Sequence, residues 1–367
     1  MYIWRQSAWP NFTWDDSRLL EPLAAARLKQ GHLLGSMAQL GFDLKLEAQV
    51  EALTEDVIKS SEIEGETLER YSVRSSIARR LGLPEAAVTA ADRRTEGIVE
   101  MMLDATANYA ALLTKERLFT WQAALFPTGY SGMHLVTTGG WRTDSGGPMQ
   151  VVSGPIGRQR VHYEAPPATR IDAEMQHFFD WYHDSGKTEG LLRAGLAHLW
   201  FVTIHPFDDG NGRIARAIAD QALAQSESST QRFYSMSSQI RKERSDYYEA
   251  LERTQKGDLE VTDWLLWFLG CFSRAIEGAE VASAHVLRKA DFWQLYARER
   301  FSERQKAVLN RYMDGFEGNL TAKKWAALAK VSVPTAQRDI NDLVERAILR
   351  RNPGGSKNTS YALTTTP

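Results

Sequence analysis

Apolar residues recur at every third or fourth position along most of this chain, which restricts it to a mainly helical fold. Between Ser17 and Leu83 the series Leu19, Leu23, Ala26, Leu33, Leu34 and Met37 marks one face of a helix, broken at Gly41 and resumed at Glu47. Further helices are predicted from about Glu85 to Leu113, from Trp121 to Pro127, from Ile171 to Ser185, from Gly190 onward and from Asp258 to Leu295. One stretch departs from this period. Thr128 to Pro167 holds Gly129, Gly132, Gly139, Gly140, Gly146, Gly147, Gly154 and Gly157 and ends in Pro166-Pro167. Its β-prone runs MQVVSG and RQRVHY are separated by Gly-Pro-Ile-Gly, which predicts a loop-rich segment with one β-hairpin.

A boundary is expected near Arg298 to Glu303, followed by a compact unit. Ala322 to Ala329, a turn at Val331-Ser332 and Pro334 to Arg346 form a helix-turn-helix pattern, with Pro334 suited to a first helical turn. Leu349 to Arg351 and Thr359 to Leu363 flank Asn352-Pro-Gly-Gly-Ser-Lys-Asn358 and read as a β-hairpin, or wing. From Thr321 to Lys357 there are eight basic residues against three acids (Asp339, Asp342 and Glu345), a local charge of +5. A basic helix-turn-helix with a wing is the footprint of DNA binding, although such modules also dock proteins, and Asp339 and Asp342 fall on the supposed recognition helix.

Composition narrows the function classes. The net charge of −2 supplies no global field for nucleic acid or membrane, so such a partner needs a local patch. The most apolar run, Trp264 to Phe272, is far short of the ~20 residues that span a bilayer, so no membrane partner is expected. The opening MYIWRQSAWPN has no basic segment followed by an apolar one, so no secretory leader is expected. Cys271 is the single cysteine, which excludes an intramolecular disulfide and multi-cysteine zinc sites and favours a reducing, cytoplasmic location. His32, His162, His177, His183, His198 and His285 show no ligand spacing and read as surface or packing residues.

Chemistry concentrates in Ile204 to Arg216, IHPFDDGNGRIAR. Gly210 and Gly212 flank Asn211, so backbone N–H groups there can approach a ligand, and the following IARAIADQALA is strongly helix-forming. A glycine turn that opens a helix is an anion site. Arg213 and Arg216 lie one turn apart on one face and can both reach phosphate oxygens. Asp209 is a hard oxygen ligand suited to Mg²⁺ on phosphates. His205, just before the turn, can be neutral near pH 7 and is a candidate base. GNGRIA also fits a relaxed dinucleotide fingerprint, but His-Pro-Phe-Asp-Asp intervenes after LAHLWFVTI and no βαβ unit surrounds it.

HPFDDGNGRIAR matches the Fic family motif H-P-F-x-[DE]-G-N-[GK]-R-x-x-R at every specified position. Ser60-Ser-Glu-Ile-Glu64-Gly65 matches the family's inhibitory-helix motif [ST]-x-x-x-E-[GN], upstream of the core as in class II members. WPNFTWD, KQGHLLG and SSIARRLGL resemble the N-terminal domain that often precedes bacterial Fic cores. The resemblance covers nearly the whole chain. It implies a mainly α fold: an all-helical Fic core with a β-hairpin flap, plus a small C-terminal winged helix-turn-helix domain. The expected domains are 1–84 (N-terminal, carrying the inhibitory helix), 85–297 (catalytic core) and 298–367 (winged-helix-like).

The resemblance further implies a protein adenylyltransferase that moves AMP from ATP to a Ser, Thr or Tyr hydroxyl, with Mg²⁺ as cofactor. In that reading His205 takes the hydroxyl proton and Asp209 holds the metal. Gly210, Asn211 and Gly212 line the α-phosphate, and Arg213 and Arg216 hold the β- and γ-phosphates. Pro206 and Phe207 aim the histidine by packing. Tyr247 and Tyr248 lie near adenine and ribose, with core packing as the alternative. The hairpin from about Gln150 to Tyr163 is the flap on which the target docks by strand addition. Glu64 is the inhibitory residue and Ser60 orients its helix end. A homodimer is the expected assembly. The other reading is a DNA-binding transcription regulator whose Fic core senses ATP.

Overall fold

The computed structural model describes residues 1–83, 92–154, 158–184, 188–313, 319–353 and 359–364. The start of the helix expected from Glu85, the spacer through Gly157, most of the wing with Lys357, and the side chain of His285 lie outside the described residues. The chain falls into two compact units: Met1–Gly35 with Leu46–Glu280, and Ser36–Lys45 with Val281–Pro367.

The first unit is helical, as the apolar spacing predicts. Helices α1 (Asp16–Ala38) and α2 (Phe42–Ile63) are parted at Gly41. Helix α3 (Arg70–Arg80) is capped by Glu69, which accepts from the amides of Tyr71 and Ser72. Asp92 caps α4 (Arg93–Ala107) in the same manner. Acidic and hydroxyl caps satisfy amides that have no partner inside the helix. Helix α5 spans Lys115–Leu125, not Trp121 to Pro127, because the Thr114 hydroxyl caps it six residues earlier than the apolar pattern suggested. Helices α6 (Ile171–His183), α7 (Gly190–Ile204), α8 (Asn211–Glu227), α9 (Met236–Lys242), α10 (Arg244–Gln255) and α11 (Thr262–Leu295) follow. Every residue of α7 after Gly190 is buried, and α7 and α8 pack closely together.

The glycine-rich segment holds two hairpins rather than one. Strands β1 (Tyr130–Ser131) and β2 (His134–Leu135) form a small pair. Strands β3 (Gln150–Ser153) and β4 (Arg160–Glu164) form the expected one, with a register shift between Val151 and Val152. The buried Tyr163 of β4 donates to the Thr203 carbonyl of α7 at 2.6 Å, which ties the hairpin to the core.

The second unit continues with α12 (Glu303–Met313), β5 (Leu320–Thr321), α13 (Ala322–Ala329), α14 (Val333–Glu345), β6 (Leu349–Arg351) and β7 (Ser360–Leu363). The two expected strands are joined by β5 in an antiparallel sheet of order β5-β7-β6. Trp325, Ile340, Leu343, Leu349 and Tyr361 form its core. Among the described residues no helix is long and apolar enough to cross a membrane.

Candidate active site

Helix α7 ends at His205, whose backbone turns left-handed (φ +53°) while its amide still bonds to the Phe201 carbonyl at 3.0 Å. A non-glycine residue at positive φ is held by its surroundings. Arg142 supplies part of that hold. Its buried guanidinium donates to the His205 carbonyl at 2.8 Å and to the Pro166 carbonyl at 2.5 Å, and its amide donates to the Pro206 carbonyl at 3.0 Å. Asp144 pairs with the same guanidinium at 2.8 Å. Phe207 is fully buried against Trp141, Phe119 and Phe201.

The imidazole is thereby oriented. His205 Nδ1 lies 3.2 Å from the Val202 carbonyl oxygen. A carbonyl can only accept, so Nδ1 carries the proton and Nε2 keeps its lone pair. Burial lowers the imidazole to about 4, against the opposing pull of the Val202 bond and with Arg142 assisting. At neutral pH the His205 imidazole is therefore uncharged.

The turn after it is closed by Asn211. Its side chain accepts from the Phe207 amide at 3.0 Å and donates to the Phe207 carbonyl at 2.8 Å. The Asn211 side chain therefore shapes the turn, while the first amides of α8 point out of it. Gly210 has φ +90°, and a Cβ there would press on Leu125 and Phe126 at 3.0 and 3.1 Å. A Cβ on Gly212 would meet Glu64 Oε1 at 2.3 Å. Gly210 needs bare backbone, whereas a side chain at Gly212 would have to displace the Glu64 carboxylate.

Asp209 is half-exposed. Its Oδ2 accepts the Ser131 hydroxyl of β1, and Oδ1 takes the Gly210 amide at 2.5 Å. The neighbouring Asp208 instead fastens the loop by accepting the Thr137 amide at 2.8 Å. Among the described residues no group of three or more His, Cys, Asp or Glu could hold a metal. A lone carboxylate beside an anion site fits Mg²⁺, which favours one or two carboxylates plus substrate phosphates and water.

Both arginines of α8 are buried, and each meets a glutamate. Arg216 donates to the Ser60 hydroxyl and carbonyl, each at 2.9 Å, and to Glu64 at 2.8 Å. Arg213 pairs with Glu66 at 2.8 Å and lies over the Phe126 ring. Glu66 also pairs with Arg94 of α4. Among the described residues the buried Arg213 Nε and Arg216 Nη1 have no hydrogen-bond partner, so donors are left over for an anion. The structure thus brings Ser60, Glu64, His205, Asp209, the glycine turn, Arg213 and Arg216 together.

The two tyrosines differ. Tyr247 is buried, with its hydroxyl 2.9 Å from His198 Nε2 and its ring beside Trp267. Tyr248 is 38% exposed beneath Arg244 and has ring surface to offer a ligand. His162 of β4 bridges Ser153 and Glu252 of α10, each at 2.6 Å, and so joins the hairpin to the helix of the tyrosines. Sequence reading missed Glu66, Arg142 and Ser131.

The profile of a domain of unknown function (DUF4172) matches residues 2–83, and that of the Fic/DOC family matches residues 112–223. A protein described as Protein adenylyltransferase Fic from Nematostella vectensis is 31% identical over 120 residues, 32% of this chain and 26% of that one. Its namesake from Drosophila willistoni is 34% identical over 87 residues, 23% of this chain and 16% of that one. The chain therefore spans about a quarter or less of the length of these relatives. The crystal structure of a Fic family protein from Desulfovibrio desulfuricans G20 superposes with a TM-score of 0.58 at 21% identity, covering 94% of this chain and 95% of that one. At that identity the likeness concerns the fold.

Proposed function

Because the chain carries a Fic/DOC family domain, we propose that it is a protein adenylyltransferase that transfers AMP from ATP to a target hydroxyl and is restrained by its own Glu64. The observation that carries this reading is the neutral His205, with Nε2 available, beside a glycine turn and two buried arginines with spare donors. A hydroxyl is a poor nucleophile without a placed base. In the reaction the hydroxyl oxygen bonds to the α-phosphorus, its proton passes to His205 Nε2, and the bond from the α-phosphorus to the bridging oxygen breaks to release pyrophosphate. The amides at Gly210 to Gly212 stabilise charge on the α-phosphate, and Arg213 and Arg216 hold the β- and γ-phosphates. Asp209 would hold Mg²⁺, which when bound neutralises phosphate charge.

With Glu64 on Arg216, the γ-phosphate loses its arginine and meets a carboxylate. Tyr248 borders the nucleotide base. The target segment adds to the β3–β4 hairpin. We assign the reaction to the cytoplasm, by a homodimer, with domains 1–84, 85–297 and 298–367.

The test is incubation of wild type, Glu64→Gly and His205→Ala with labelled ATP and Mg²⁺ in lysate. Glu64→Gly is expected to label protein above wild type. His205→Ala should lose ~10²–10⁴ in rate while binding nucleotide with near-normal affinity. Nucleotide binding without labelled protein in any variant would make the site a sensor instead.

A further inference from the structure

Acids on a supposed recognition helix argue against nucleic acid only if they face outward as free charges, and in the second unit Asp339 is buried while the exposed Asp342 is paired. Asp339 of α14 is buried in a two-point pair with Arg304, at 2.7 and 2.8 Å, and accepts the Trp325 indole at 3.3 Å. The Arg304 guanidinium holds its carboxyl below the usual range. Asp342 accepts from Arg346 at 3.0 Å and from Gln305 at 2.8 Å. Lys323, Lys330, Arg338, Arg350 and Arg351 are exposed and, among the described residues, in no ion pair. The remaining acid of α14, Glu345, sits at its C-terminal end.

The elements that carry these cations share a surface. Helix α13 closes at Lys330 in a left-handed conformation (φ +54°), and Ser332 caps α14, so a short turn joins the two helices. Ala336, Ile340 and Leu343 face the core, which leaves Arg338 and Asn341 outside. Gln337 donates to Asn341 at 2.9 Å and to the Tyr361 hydroxyl at 3.1 Å. Tyr361 lies opposite Arg351 in the β6–β7 register. Opposed residues of an antiparallel pair share a face, so Arg351 emerges on the side that α14 covers.

We propose that this face binds double-stranded DNA, with the N-terminal half of α14 in the major groove. Arg338 reads a base edge there, while Lys323, Lys330 and Arg351 neutralise phosphates. Thirteen residues of α14 are about 20 Å of helix, enough to cross a groove about 12 Å wide. Cations from two helices and a strand around side-chain amides suit a phosphate backbone with base edges between. Val333 is the one large apolar side chain exposed on α13 and α14 among the described residues, so the face lacks the cluster of apolar anchors that centres a typical protein interface. This site is independent of the transfer chemistry, and its failure would leave that reading untouched.

The experiment uses the full chain and a fluorescent random-sequence duplex, followed by anisotropy from about 50 to 200 mM salt. Expected is binding whose log–log salt slope is about −3, as for three neutralised phosphates. Arg351→Ala should weaken binding to all sequences alike and reduce the slope by about one, whereas Arg338→Ala should relax preference at one position in a pool selected from randomised duplexes. Both side chains are exposed and far in sequence from the active-site motif, so AMP transfer and thermal midpoint should stay at wild-type values. No binding at low salt would overturn the proposal. So would wild-type binding by Lys330→Ala/Arg338→Ala/Arg351→Ala combined. Competition by poly-glutamate equal to that by duplex would assign the face to an acidic protein instead.

Discussion

Arg213 and Arg216 would both serve a triphosphate, and each is held by a carboxylate from the segment that follows α2. Glu64 acts on Arg216, and Glu66 occupies Arg213 in the same manner. Glu66→Gln is expected to free Arg213 and to tighten nucleotide binding by about tenfold, the worth of one charge-assisted hydrogen bond. In a Glu64→Gly background it should add further, since the two glutamates hold different arginines. Titration calorimetry on the single and double variants checks this, and an unchanged affinity in both backgrounds would sink it. Glu64 was legible in the sequence because a motif surrounds it. Glu66 was not, since a lone acid after Glu64-Gly65 carries no periodic signal and its partner lies 147 residues away. Arg142 escaped notice for the same reason. The pH profile belongs to this scale too. With its imidazole lowered to about 4, His205 would keep its acceptor nitrogen unprotonated well below the usual histidine range. Single-turnover transfer by Glu64→Gly should be level from about pH 8 to pH 5.5 and fall only toward pH 4. A limb near 6.5 would mean that the base titrates as an exposed histidine.

Helix pairs set what the elements tolerate. Gly97 of α4 lies so close to α5 that a Cβ would sit 1.8 Å from the Ala124 carbonyl oxygen. Gly97→Ala must push the helices apart, and a loss of at least about 1–3 kcal/mol is expected. Gly31, inside α1, has helical backbone and nothing within 4 Å of its would-be Cβ. Gly31→Ala should therefore stabilise by about 0.5–1 kcal/mol. Urea midpoints of the two variants would move in opposite directions, and a common direction would refute the packing account. The same contrast explains what could be read in advance. Long helices such as α2 and α8 announce themselves by apolar period. Strands β1 and β5 are two residues long and have no period to show. The start of α5 rests on a single hydroxyl, Thr114, rather than on pattern. The active-site motif was legible because it is continuous in sequence. The Ser131 hydroxyl that reaches Asp209 comes from a two-residue strand 78 positions away.

At the scale of the molecule, groups buried in one protonation state shape stability against acid. His198 is buried between Tyr247 and Trp264, and burial lowers it to about 3, assisted by the nearby Arg216 charge. His205 is lowered to about 4. Both ionise near 6.5 once unfolded, so below that pH the unfolded chain binds up to two more protons than the folded one. Their contribution is complete above about pH 6.5 and is lost as pH falls toward their folded values, at about 1.4 kcal/mol per pH unit for each. Asp220 opposes them. Burial and the adjacent Asp56 raise its carboxyl well above the usual range, so its contribution is present at low pH and lost as pH rises through the folded value. Asp92, Asp104 and Asp339 are held below the usual range and matter only in stronger acid. Two histidines against one acid leave a net loss of stability from pH 6.5 downward. Replacing His198 with glutamine, which cannot charge, should remove about half of the histidine slope whatever it does to stability at pH 7.5. Urea midpoints of wild type and His198→Gln at pH 7.5, 6 and 5 measure this, and parallel slopes would show that His198 does not carry the proton linkage. The base and the fold then respond differently in the same window: near pH 5.5 each folded molecule should retain full transfer activity while its margin against unfolding has narrowed.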